Sequence, residues 1–480
     1  MIQDWKMELY WRLPIFLQET ALSAYVYHLD RIYYGLGYEE WRQKIMEMQK
    51  WSAADAKVWQ AQKLQALVEL AVAKVPYYRE KWAGCPWKKV HSTQDLSVLP
   101  LVDKQAIRQN ERYFIADGLE TKNLWLQKTS GTTGTSLQIF WPMAMVPKWW
   151  AVVEVLVRNV AGVEKNLPRA MMGGRPIVRG KTSKPPFWRY NKWWKQLYLS
   201  SYHVSPKTAA SYANALGSYG SQWITGYGSA IAALAESATE AGIDSLPLRV
   251  GIVSGDTLLP GMRNTIEKFF ECKCLDHYGQ SEGVCMAMEC KEGRLHVIPW
   301  VGILEILRED GSPCEPGEVG EMVGTSLLND AMPLIRYRLG DYAAWAINQK
   351  CECGNPHPII SKLEGRVDDF LITDDGRKIG RLSTAMKRSP SIHSAQIVQD
   401  RPGHAYLLVR PGNMYETSDS VAVREDILDR IGNFELEIVE VHEIPKTLQG
   451  KTPLVVRLDE RPNMQGSYKQ LLNKRELSFN

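Results

Sequence analysis

Apolar residues recur at three- and four-residue spacings through Leu64, Leu67, Leu70 and Val72, the period of one helix face. Pro76 closes that pattern, because proline brings no backbone donor and crowds the preceding turn. Residues 1–80 are therefore expected to be helical, with Trp11, Tyr25, Tyr27, Tyr33 and Tyr34 packing the helices together. From about residue 124 the pattern changes. Short apolar runs (Leu124–Leu126, Trp223–Thr225, Leu248–Val253, Cys274–Asp276) alternate with helix-period stretches near 207–216, 229–241 and 260–270. Strands alternating with helices argue a layered α/β domain. The Gly365-Arg366 step marks the expected boundary between a large multi-layer N-terminal α/β domain, 1–365, and a small C-terminal α+β domain, 366–480. The chain shows no internal repeat and no long low-complexity tract.

Composition narrows the class. The 480 residues are 45% hydrophobic and 23% charged, with a formal net charge of +4. These are the proportions of a globular protein with room for more than one domain. So small an excess of positive charge, spread over so long a chain, does not suggest a nucleic-acid binder. No apolar stretch reaches the length of a transmembrane helix. The start, Met1-Ile2-Gln3-Asp4-Trp5-Lys6, lacks the basic and apolar regions of a signal peptide, so the cytoplasm is the expected compartment. There the eight cysteines read as thiols or metal ligands rather than disulfides.

The most informative stretch is Lys128-Thr129-Ser130-Gly131-Thr132-Thr133-Gly134-Thr135-Ser136. Its glycines let backbone N–H groups approach an anion, and its hydroxyls add neutral donors. It is not a Walker A loop, because no Gly-Lys-Ser/Thr follows at the required spacing. Four further segments come after it in order: Asp276-His277-Tyr278-Gly279-Gln280-Ser281-Glu282, Tyr337-Arg338-Leu339-Gly340-Asp341, Glu364-Gly365-Arg366-Val367-Asp368-Asp369 and Pro445-Lys446-Thr447-Leu448-Gln449-Gly450-Lys451. Together the five segments resemble the core motifs of the adenylate-forming enzymes, the superfamily of acyl-CoA synthetases. Ala331-Met332-Pro333-Leu334-Ile335-Arg336-Tyr337-Arg338 and Cys351-Glu352-Cys353-Gly354 narrow the resemblance to the phenylacetate–CoA ligases and their capsule-polysaccharide-associated relatives. It covers nearly the whole chain.

The resemblance implies ATP-dependent activation of a small carboxylic acid as its acyl-adenylate, then transfer to a thiol, coenzyme A. By that likeness Thr129, Ser130, Gly131, Thr132, Thr133, Gly134 and Thr135 cradle the triphosphate. Asp276, Tyr278 and Gly279 belong to the nucleotide site, with the Tyr278 ring on adenine. Glu282 holds Mg²⁺, a hard ion suited to a hard oxygen. Asp341 accepts hydrogen bonds from the ribose hydroxyls, and Arg366 makes a second ribose or phosphate contact. Asp368 is the pivot about which a mobile C-terminal domain swings. Lys451 is the catalytic lysine, bridging the substrate carboxylate and the α-phosphate, and Lys446 is its neighbour most easily confused with it. Tyr227 and Gly228 fall where the family lines its acid pocket.

Three features sit beside that frame. Cys290, His296, Cys351 and Cys353 offer three thiolates and an imidazole, a closed shell suited to structural Zn²⁺. Members of this ligase branch carry a similar set, and Cys285 and His357 are the alternative ligands. Ser254-Gly255-Asp256 departs from the family's usual glycine followed by glutamate. Lys378-Ile379-Gly380-Arg381-Leu382 resembles the capsule-associated relatives rather than the phenylacetate ligases. Residues 179–198 interleave Arg179, Lys181, Lys184, Arg189, Lys192 and Lys195 with Phe187, Trp188, Tyr190, Trp193 and Trp194. Such a segment can meet nucleic acid, an anionic membrane or a phosphate, or be an ordinary loop whose tryptophans pack inward. Two rival functions stay open: an adenylating amide or ester synthetase with an amine or hydroxyl acceptor, and a non-catalytic nucleotide-binding protein. The acid and the oligomeric state are not specified.

Overall fold

The computed structural model describes residues 9–446 apart from 129–136, 174, 176, 180–181, 367–370, 375–377, 380–381, 383–390, 413 and 432–433, and then 452–459 and 465–473. The fold is mixed α/β, with a sheet-rich larger part and a smaller C-terminal part. The chain divides into two compact units. One holds 1–169, 189–196 and 275–363, and the other holds 170–188, 197–274 and 364–480.

The first unit begins with helices α1 (Ile15–Tyr33), α2 (Tyr38–Met48) and α3 (Ala53–Lys74). Ser52 and Asp55 form a reciprocal capping box at the start of α3, satisfying two donors that the first turn leaves unpaired. Leu64, Leu67, Val68 and Ala71 are buried, so the spacing that predicted the helix also marks its core face. Pro76 ends this pattern and opens the short helix Pro76–Lys81, where its missing N–H costs nothing. Strands Leu124–Lys128 and Gln138–Pro142 pair antiparallel, Lys128 opposite Gln138. The expected phosphate loop, Thr129–Thr135, joins them and lies outside the described residues. Helix α4 (Met145–Val153) follows. The unit's main sheet runs in the order 302–307, 319–326, 337–345, 359–366, 295–297, 286–289 and 273–279, and its paired neighbours are antiparallel where their register is resolved.

In the second unit the strands Trp223–Gly226 and Val250–Ser254 are parallel neighbours. Helices α5 (Pro206–Ser218), α6 (Gly228–Glu240) and α7 (Pro260–Phe270) alternate with them, as the apolar pattern predicts. A four-stranded sheet ordered 435–440, 404–411, 392–401, 455–457 carries α8 (Thr417–Ile431) and α9 (Gln465–Asn473). Val398, Leu408, Val439, Ile444, Val456 and Tyr468 form its core.

Candidate functional site

The strand Lys273–Gly279 delivers Asp276 and Tyr278 two residues apart, so both leave the same sheet face. The Asp276 amide donates to Glu289 Oε2 at 2.7 Å. The Tyr278 hydroxyl donates to Asp341 Oδ2 at 2.6 Å, across 63 residues of chain. Burial, and next the Asp341 charge, push the Tyr278 phenol well above its ordinary range. It therefore remains a neutral donor with a half-buried ring.

Glu282 follows in the turn after that strand and is only 6% exposed. A buried carboxylate needs a partner, and the hydroxyl of the fully buried Tyr337 donates to its Oε1 at 3.3 Å. The turn depends on Gly283, which has φ +67°, and a Cβ there would lie 2.9 Å from Trp141. The sequence assigns His277 no role and names Cys285 only as an alternative zinc ligand. His277 is held neutral by burial, its pKa pushed down to about 4, and its buried Nε2 meets no hydrogen-bond partner among the described residues. Burial, with Asp341 adding, pushes the Cys285 thiol up to about 12. That makes it an inert thiol, and it does not join the other cysteines.

Cys290, His296, Cys351 and Cys353 do come together: one ligand atom from each lies within 4.8 Å of all the others. The Cys290 and Cys351 sulfurs are 3.7 Å apart, and Cys353 Sγ is 3.4 Å from His296 Nε2. Zn–S bonds of about 2.3 Å and a Zn–N bond of about 2.0 Å at tetrahedral angles require edges of roughly 3.8 and 3.5 Å, so the residues fit the ion. His296 Nδ1 faces the His357 carbonyl at 3.2 Å, which leaves Nε2 as the ligand atom in the manner of metal-site histidines. Burial, then the neighbouring thiols, push Cys353 up to about 12, a penalty that a divalent cation would reverse. Each cysteine loop turns on a glycine with positive φ three residues after its first cysteine, Gly293 (+69°) and Gly354 (+80°). That repeated Cys-x-x-Gly is a second signal of the site that the sequence carries. His357, the alternative ligand, instead packs edge-on against Trp300, centroids 5.4 Å apart.

In the second unit, Tyr227 and Gly228 lie at the start of α6. The departure at Asp256 has a local reason. Its carboxylate accepts from the Gly228 and Ser229 amides at 2.8 and 3.1 Å and from the Ser229 hydroxyl at 2.6 Å, which caps the helix. Lys446 is no solvated neighbour. Its ammonium donates to the Ser201 carbonyl at 3.3 Å, and burial lowers its pKa against the opposing pull of Glu443 and Asp256. Lys451, Asp368 and the side chain of Arg366 lie outside the described residues, and the backbone of Arg366 ends the strand Ile359–Arg366.

The basic aromatic segment packs mainly inward. Arg189 Nε donates to Gln18 at 2.7 Å, the Tyr190 amide to Glu19 at 2.9 Å and Trp194 Nε1 to Asp30 at 2.7 Å, all on α1.

A model of the CapK C-terminal domain matches residues 371–458. Protein CapK of Staphylococcus aureus is 28% identical over 381 residues, 76% of this chain and 80% of that protein. Phenylacetate-coenzyme A ligase of Pseudomonas putida is 27% identical over 324 residues, 65% of this chain and 71% of that protein. Among solved structures, 2-hydroxyisobutyryl-CoA ligase in the postadenylation state aligns with a TM-score of 0.64 at 18% identity, covering 88% of this chain and 93% of that one. The chain is a homologue of CapK and of the phenylacetate–coenzyme A ligases, on the fold of the adenylate-forming ligases.

Proposed function

We propose that the protein is an AMP-forming ligase that activates a small carboxylic acid with ATP and passes the acyl group to the thiol of coenzyme A. In the first step a carboxylate oxygen attacks the α-phosphorus and pyrophosphate leaves. In the second the thiol sulfur attacks the acyl carbon and AMP leaves. The observation that carries this reading is the Tyr278–Asp341 hydrogen bond, 2.6 Å, beside a buried Glu282 braced by Tyr337. This arrangement sets an aromatic ring, a carboxylate suited to sugar hydroxyls and a carboxylate suited to a hard cation near one another, with the Glu282 charge felt at Tyr278. Homology to coenzyme A ligases supports the same chemistry.

In this reading Thr129–Thr135 hold the triphosphate and Asp276, Tyr278 and Gly279 seat the adenine. Asp341 binds the ribose, and Arg366 meets the ribose or a phosphate. Glu282 would hold Mg²⁺, which supplies charge neutralisation at the phosphates. Lys451 brings a preorganised cation to the developing charge. Tyr227 and Gly228 border the acid, and Asp368 is the hinge of a mobile lid spanning 366–480. Cys290, His296, Cys351 and Cys353 would hold a structural Zn²⁺ with no open position. Pyrophosphate exchange over a panel of carboxylic acids tests the first half-reaction. At least one acid should drive exchange, and none doing so would refute the ligase.

A second reading changes only the acceptor. On that reading the acceptor is an amine or a hydroxyl, and the C-terminal residues 371–458 match the CapK C-terminal domain. Thioester formation on adding coenzyme A to an exchange-competent mixture separates the two.

A further inference from the structure

We propose that the outward face of α1 docks on an anionic lipid bilayer. Phe16, Thr20, Ala24, Tyr27 and Arg31 recur at three- and four-residue spacings, one stripe of the helix, and all five are exposed. Phe16 is 66% and Tyr27 44% exposed. Trp193 extends the stripe. Its ring meets Tyr27 edge-on with centroids 4.6 Å apart, and it remains 51% exposed. Leu36, just past the helix, is wholly exposed.

An ordinary surface helix turns charge to water and apolar groups inward; α1 buries Val26 in that way but leaves Phe16 and Tyr27 in solvent. Gln18, a polar residue, is buried and bonded to Arg189. Both carboxylates of the helix point at the 190–194 segment: Glu19 accepts from the Tyr190 amide and Asp30 from the Trp194 indole. The outward charges that remain are positive. Arg12, Arg31 and Lys192 are exposed, and no carboxylate pairs with any of them among the described residues. Aromatic rings with cations and no anions complement the headgroup layer of an anionic bilayer. There Tyr and Trp sit at the interface and Lys and Arg face acidic lipids. Among the described residues no helix is long and apolar enough to cross a membrane, so the contact would be interfacial. A protein partner would be expected to meet some of this area with cations of its own, and among the described residues the stripe from Phe16 to Arg31 carries no carboxylate to receive them.

The test is sedimentation of the full chain with vesicles of phosphatidylcholine containing phosphatidylglycerol, against phosphatidylcholine alone. The wild type should bind the anionic vesicles at least tenfold better, and raised salt should weaken the binding. Phe16→Glu and Arg31→Glu should each reduce it several-fold, with unchanged melting temperature because both side chains stand in solvent. Three results would overturn the proposal: no binding to anionic vesicles, equal binding to both compositions, or unaltered binding by Phe16→Glu. Analytical ultracentrifugation covers the other occupant. A dimer abolished by Phe16→Glu in the absence of lipid would make the face an interface between copies and likewise sink the membrane assignment.

Discussion

Glu282 is 6% exposed, and the Tyr337 hydroxyl is the partner that lets it remain there. Glu282→Gln preserves an acceptor for that hydroxyl and removes one charge. Pyrophosphate exchange in a magnesium titration should therefore fall by roughly 10²-fold while circular dichroism and melting stay as in the wild type. Unchanged exchange across the titration would remove Glu282 from the cation site. Cys351→Ser breaks the four-residue cluster. Structural zinc contributes on the order of 10 kcal/mol of apparent binding free energy, so the variant should lose metal by elemental analysis and melt well below the wild type. Its nucleotide affinity per folded molecule should hold. Wild-type protein without zinc, its thiols titrating freely in the native state, would contradict the site. These four residues were legible in the chain because ligand type and a Cys-x-Cys pair survive in sequence. The capping role of Asp256 was not, because a carboxylate that satisfies amides at 228 and 229 looks, in sequence, like any other carboxylate.

At the scale of elements, the contact between α6 and the strand His404–Pro411 is testable by pH. Glu236 on α6 pairs with Arg410 at 2.5 Å, yet burial pushes its pKa up to about 7 in spite of that arginine. A carboxyl raised above its unfolded value binds its proton more tightly when folded. Its stabilising contribution is present in full below about pH 4.5 and is lost as pH rises through 7. Relative to Glu236→Gln, which does not titrate, the wild type should therefore lose stability between pH 5 and 8, by about 3 kcal/mol at most. Parallel pH profiles from denaturant melts of the two proteins would show that the group is not buried in this way. Lys446 belongs to the same surroundings. Lys446→Ala should lower the melting temperature, because it strips the Ser201 carbonyl of a buried donor. The strands and helices themselves were readable: the periods near 207–216, 229–241 and 260–270 became α5, α6 and α7. The docking of 189–196 against α1 was not, since it joins residues about 170 positions apart and no local pattern encodes that separation.

For the whole molecule, the proposed alternation about Asp368 makes the two half-reactions separable. Lys451→Ala should slow adenylation by roughly 10²–10³ and leave transfer from a chemically prepared acyl-adenylate nearly unaffected. Equal loss of both in a well-folded protein would refute both the lysine's role and the alternation. Apolar periodicity and motif order by themselves determined the α/β class, the main helices and strands, and the candidate residues in chain order. Each of those rests on local spacing, which a linear chain retains. Tertiary structure alone decided which side chains meet: Tyr278 with Asp341, Tyr337 with Glu282, Asp256 with the α6 amides, and Cys285 left outside the cysteine cluster. It also turned the carboxylates of α1 inward and left aromatic rings and cations outside. Partner choice at long range follows from packing the whole core at once, where burial forces each polar group to find a mate, and no stretch of sequence holds that outcome on its own.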